Sequence, residues 1–133
     1  MKLPLLLVLS ATTMLASCAT SVSDKPWVGL YEEQYMRSEQ KWPMTLPKTQ
    51  QALFAHESKC GSAPNFEVDS VQPNIAYVWR VLDDSAAQSN TVLLELARLR
   101  GETLRVRAYS SVGVSEDEIT RLQNTILTPE VCD

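Results

Sequence analysis

The chain has 133 residues and a formal net charge of −4. That length allows one small domain with a single core, and an acidic balance argues against a general nucleic-acid binder, which needs a basic face. Only four glycines are present, and they form no glycine-rich phosphate loop.

The N-terminus has three zones. Lys2 supplies a positive start, Leu3 to Leu9 is an apolar run, and small residues precede Cys18. This fits a secretory signal better than a spanning helix, which needs roughly 20 continuous apolar residues. Ser10, Thr12, Thr13 and Ser17 interrupt the stretch, and Pro4 breaks its start. Leu15-Ala16-Ser17-Cys18 resembles the lipobox, at which bacterial signal peptidase cuts before a cysteine. The resemblance implies a bacterial lipoprotein precursor with residues 1–17 as signal peptide. It implies a diacylglyceryl thioether on Cys18 and usually a third acyl chain on its amine, palmitate being the acyl group expected. Two or more chains anchor a protein stably, whereas one binds only marginally. Ala19 stands where an aspartate retains such proteins at the inner membrane of many Gram-negative bacteria, so the resemblance implies the periplasmic face of the outer membrane. The alternatives are an ordinary secretory signal with an incidental cysteine, or an uncleaved anchor. Residues 19 to 133 carry no family motif, so the resemblance is confined to about the first 18 residues.

Removing residues 1–17 from the 133 leaves 116, and the loss of Lys2 takes the net charge from −4 to −5. With Cys18 taken by lipid, Cys60 and Cys132 remain in an oxidising compartment, where an even pair reads as a disulfide. A loop of about 70 residues corresponds to roughly 4 kcal/mol of restriction on the unfolded chain. The alternative is two buried free thiols. His56 is the only histidine, and the spacing is not of a zinc type, so no metal or other cofactor is expected.

Residues 18–44 read as the lipidated cysteine, a small polar tether and an aromatic-rich arm, and residues 45–133 as the domain. The arm carries Trp27, Tyr31, Tyr35 and Trp42. Tyr31, Tyr35 and Met36 fit one face of a short helix that ends at Trp42-Pro43. Either these rings cover the sheet of the domain, or they are offered to a partner or to the membrane interface. From Lys48 to Lys59 helix formers dominate, with Leu53, His56 and Cys60 on one stripe, Pro47 suited to the first turn and Gly61 to the position after the end. A lone histidine on such a stripe is more often a packed residue than a catalytic base.

Phe66 to Val71, Ile75 to Leu82, Thr91 to Leu99 and Leu104 to Ser110 read as four strands joined by short turns. Ile75 to Leu82 has a competing reading as a helix capped by Asn74; Tyr77, Val78, Trp79 and Val81 favour the strand. Ser115-Glu116-Asp117-Glu118 has the form of a capping box, with Ile119, Leu122 and Ile126 at helical spacing behind it and Pro129 as a stop. The expected fold is α+β: a two-layer sandwich in which a four-stranded antiparallel meander is flanked in sequence by two helices and stapled by one disulfide.

No serine, histidine and aspartate combine as a nucleophile with its base, and the Asp83-Asp84 pair sits in a loop of small polar residues, so an enzyme is not expected. Arg98, Arg100, Arg105 and Arg107 surround the turn at Gly101. If Leu99 pairs with Leu104, all four share one face with Arg98 opposite Arg105, a candidate site for an anion or an acidic partner surface. The alternative is a solvated hairpin tip balanced by Glu95 and Glu102. In that register Val92, Leu94 and Leu96 fall on the arginine face and Leu104 and Val106 on the other, so neither side is purely apolar. The leading expectation is a non-enzymatic outer-membrane lipoprotein that binds another envelope protein in assembly or secretion. The alternatives are an immunity or inhibitor lipoprotein that blocks a toxin or hydrolase, and a binder of an anionic envelope ligand.

Overall fold

A computed structural model describes residues 25–83 and 90–133. The signal segment, Cys18 and the tether expected up to residue 24 lie outside the described residues, as do residues 84–89, which include Asp84 of the acidic pair.

The N-terminal arm is not helical. Val28–Leu30 and Glu33–Tyr35 form two 3₁₀ turns, and Met36–Trp42 is a strand, β1. Glu, Gln and Lys make β1 a weak strand former on its own. It becomes a strand because it pairs antiparallel with β5 (Leu104–Ser110), Gln40 opposite Val106 and Trp42 opposite Leu104, and that ladder outweighs local preference. The expected meander of four strands is therefore part of a sheet of five, and the folded unit begins before residue 45.

Helix α1 spans Leu46–Cys60. The Thr45 side chain accepts the Lys48 amide hydrogen at 3.3 Å, Pro47 sits in the first turn where its missing N–H costs nothing, and Gly61 ends the helix at φ 82°. Strands β2 (Asn65–Val68), β3 (Ile75–Asp83) and β4 (Asn90–Arg98) follow, and the sheet order is β1-β5-β4-β3-β2, all antiparallel. The β2–β3 turn is held by Asp69, whose Oδ1 accepts the amide hydrogens of Val71 and Gln72, both at 2.8 Å. Helix α2 spans Glu116–Leu127. Ser115 occupies its N-cap position with extended backbone, but its side chain makes no capping bond, so the reciprocal box does not form. Glu116, Asp117 and Glu118 still complement the helix dipole in the first turn.

Both helices lie on one face of the sheet. There Val92, Leu94 and Leu96 of β4 and Leu104 and Val106 of β5 pack beneath Leu53 of α1 and Ile119, Leu122 and Ile126 of α2. Each such side chain, fully removed from water, contributes on the order of 1.5–3 kcal/mol. On the opposite face the arm forms a strap over Leu93: Trp27 and Leu30 pack there with Tyr77 and Tyr109. The α+β sandwich thus has two layers plus a partial third. Among the described residues no helix is long and apolar enough to cross a membrane.

Candidate functional site

The two cysteines expected to pair do so. Cys60 at the end of α1 is bonded to Cys132 beyond α2, with Cα atoms 5.5 Å apart and a sequence separation of 72. His56, one turn earlier, is buried, and its Nδ1 donates to the Pro129 carbonyl at 2.9 Å. A carbonyl only accepts, so the proton is on Nδ1. His56 is a tie between α1 and the segment after α2, reinforcing the disulfide.

The aromatic residues of the arm divide between the two faces. Trp42 closes the core beneath the helices, while Trp27, Tyr31 and Tyr35 belong to the strap. Trp27 stacks on Tyr77 with ring centroids 4.3 Å apart, and Tyr31 stacks on Tyr109 at 5.5 Å. The Tyr31 hydroxyl donates to Glu95 Oε2, and the Tyr77 hydroxyl donates to Asp69 Oδ2 at 2.9 Å. Burial, and next the bond to Glu95, push the Tyr31 phenol well above its ordinary range. Burial is also the main cause of the raised values of Tyr77 and Tyr109.

The four arginines do not form one surface. Arg98 stands opposite Leu104, Ala97 opposite Arg105, and Glu95 opposite Arg107, one residue out of step with the pairing of Leu99 to Leu104. The turn explains the step: Leu99 donates its amide hydrogen to the Thr103 carbonyl at 2.9 Å, closing a five-residue loop with Gly101 at φ 74°. A one-residue slip moves every side chain of one strand to the other face. Arg105 and Arg107 therefore lie on the strap side, where Arg105 is 3.5 Å from buried Glu95 and Arg107 Nε is 2.6 Å from Glu39. That bond to Arg107 holds the Glu39 carboxyl below its usual value and raises the guanidinium. Arg100 is exposed in the turn, and Arg98 lies on the helix side.

On that side Arg98 borders an open cleft of about 500 Å³ between the start of α1, the end of β2 and the β4–β5 turn. Met44, Leu46, Phe66, Val68 and Leu104 give it an apolar lining. A second hollow of about 220 Å³ adjoins it, sharing Gln50 and Phe66 and continuing along α1 past Leu53 and Phe54 to Pro64. Phe54 is 60% exposed at its lip. Together they form one groove flanked by α1 and β2, of a volume in the roughly 300–1,000 Å³ range of ligand sites. Lys48 lies 3.8 Å from Glu102 at the cleft, whereas Arg98 makes no ion pair among the described residues. The sequence reading missed this groove. Its one signal was Phe54, an aromatic residue placed off the Leu53, His56 and Cys60 stripe of an otherwise polar helix.

Among the described residues no group of three or more His, Cys, Asp or Glu side chains is placed to hold a metal ion. No protein-family model, curated protein or solved structure matches the chain.

Proposed function

We propose that this chain is a non-enzymatic lipoprotein, acylated at Cys18 and anchored to the periplasmic face of the outer membrane, that binds another envelope protein through the groove between α1 and β2. The lipobox-like Leu15-Ala16-Ser17-Cys18 supports the address. The observation that carries the binding role is the groove itself: a channel with a largely apolar lining, an exposed aromatic lip and an arginine that makes no ion pair among the described residues. Exposed apolar surface rimmed by polar groups is costly to leave in water and marks sites where a partner covers it.

Two measurements test the reading. Labelling growing cells with palmitate should mark the wild type and leave Cys18→Ser unmarked and unprocessed; a processed, membrane-bound Cys18→Ser without lipid removes the lipoprotein assignment. Affinity capture from detergent-solubilised envelopes should recover a partner with the wild type and lose it with Phe54→Glu. A partner retained by Phe54→Glu moves the binding surface elsewhere.

A further inference from the structure

The two edges of the sheet are built differently. At the β1 edge the exposed positions are Met36, Arg37, Glu39, Gln40 and Lys41, the register is broken between Met36 and Ser38, and Arg37 is tied back to Ser110 Oγ at 2.9 Å and the Val114 carbonyl at 2.8 Å. Charge and irregularity of this type block further strand pairing. The β2 edge, Asn65-Phe66-Glu67-Val68, has no bulge and borders the groove, and its one charged side chain, Glu67, is ion-paired with Lys25 on the strap side of the sheet, away from the groove.

The β2 backbone directs its unused bonds outward. Asp69 donates its amide hydrogen to the Ile75 carbonyl at 2.9 Å, so the residues in step with it, Glu67 and Asn65, bond to β3. In an antiparallel pair the alternate residues turn their N–H and C=O groups away from the partner strand. Those residues are Phe66 and Val68, and no hydrogen bond among the described residues takes up their outward groups. Their side chains are the ones that line the groove. A strand laid along this edge has the side chains opposite Phe66 and Val68 on the same face, in the apolar channel beside α1.

Charge selects what is added. Glu102 has Lys48 beside it, Arg98 makes no ion pair among the described residues, and the first turn of α1 brings the positive end of a 15-residue helix to the same cleft. An anionic group is favoured there. A second copy of the chain fits poorly. Two antiparallel β2 edges with Phe66 opposite Val68 bring the Lys25–Glu67 pair of one copy directly against that of the other, crowding two ion pairs at one position, and a register with Phe66 opposite Phe66 sets Val68 against Pro64, which lacks a donor.

We infer that the groove binds an extended peptide segment of the partner, which adds as a sixth strand to the free edge of β2, sends apolar side chains at alternate positions into the channel, and sets a carboxylate against Arg98. This rests on the groove being the binding surface and specifies how it binds.

The test uses the full chain purified from envelopes in detergent, with fluorescein-labelled, amidated peptides of alternating Val and Thr that carry one Asp at either end. Binding should be measurable by anisotropy for one of the two and should slow hydrogen exchange in the segment Asn65 to Asp69. Replacing the peptide Asp by Asn should weaken binding about tenfold, Arg98→Gln should do the same, and the two changes together should cost little more than either. Val68→Pro removes an outward donor without removing a β2–β3 bond and should abolish binding with an unchanged urea midpoint; if that variant unfolds, the exchange measurement on the wild type decides. Four results overturn the inference. They are binding without protection of that segment, equal affinity for the Asp and Asn peptides, protection already present in the free protein or appearing with its concentration, and uptake of dodecanoate in place of the peptide. If Phe54→Glu loses the envelope partner while these peptides fail, the groove stands and the strand mode falls. If Phe54→Glu keeps the partner, the groove itself is wrong.

Discussion

The Tyr31 hydroxyl donates to the Glu95 carboxylate, joining the N-terminal strap to the centre of the sheet. Glu95 is 4% exposed, and Arg105 approaches its other oxygen at 3.5 Å. An acid on β4 is thus held between a phenol from the strap and a guanidinium from β5.

Tyr31→Phe keeps the ring stack on Tyr109 and removes one of the partners of a buried carboxylate. The expected loss is about 1–3 kcal/mol, the cost of leaving a buried polar group short of a bond. Urea unfolding at pH 7 measures it, and an unchanged midpoint would mean that solvent replaces the phenol freely.

The pH profile should have two limbs. Tyr31, Tyr77 and Tyr109 hold their protons more tightly folded than unfolded, so their contribution is complete below the ordinary tyrosine value of about 10 and is lost as pH rises beyond it. Glu39 and Asp69 are shifted the other way, the first by Arg107 and the second by the Gln72 and Val71 amides. Their contribution is complete above the ordinary carboxylate range of about 4 and is lost as pH falls through their lower folded values. Unfolding midpoints followed by fluorescence should fall at both extremes, and Tyr31→Phe should flatten only the alkaline limb.

Cys60→Ser, Cys132→Ser and the double variant should each lose about 4 kcal/mol, because the bridge restricts the same unfolded chain in all three comparisons. Non-reducing peptide mapping should recover the two cysteines joined. Unequal losses among the variants would show that one cysteine contributes more than the bridge.

Trp27→Ala should cost about 3–5 kcal/mol, the range for emptying a buried aromatic site. Phe54→Ala should stay within about 0.5 kcal/mol, since that ring is exposed. Denaturant midpoints of the two variants separate a strap that stabilises the fold from a groove lip that does not.

Arg107→Glu places a third acid in line with Glu95 and Glu39 and should lower stability by roughly 0.5–1 kcal/mol or more. Arg98→Glu faces Leu104 at the rim of an open cleft and should be nearly neutral. A large loss in the second would place Arg98 in the framework of the fold.

Elements with local causes were legible in the sequence. Pro47 and Gly61 bound α1, Tyr77, Val78, Trp79 and Val81 mark β3 by their strand preference, β5 shows its alternation, and Pro129 follows the end of α2. Strand β1 was hidden because Arg37, Glu39 and Lys41 suit an edge, and only pairing with β5, far along the chain, makes them extended. The β4–β5 register was open to correction from the sequence alone. Pairing Arg98 with Leu104 brings Val92, Leu94, Leu96, Leu104 and Val106 to one face, and the mixed faces of the other pairing were the sign of an error by one residue. The groove was not legible, since it arises from the spacing between α1 and β2, a distance that no local pattern encodes.

The neighbour of β5 in the sheet is the first strand made, and this has a consequence for the order of assembly. Lys41 meets Arg105 only after the intervening chain has been closed into a loop, at an entropic cost of roughly 3–4 kcal/mol for its length. The meander from β2 to β5 needs only short closures and can form first, leaving β1 and the strap to dock on a surface already in place. Refolding followed at Trp42 should then lag behind refolding followed by strand content. A nascent chain halted before Leu104 lacks the template on which β1 becomes a strand at all.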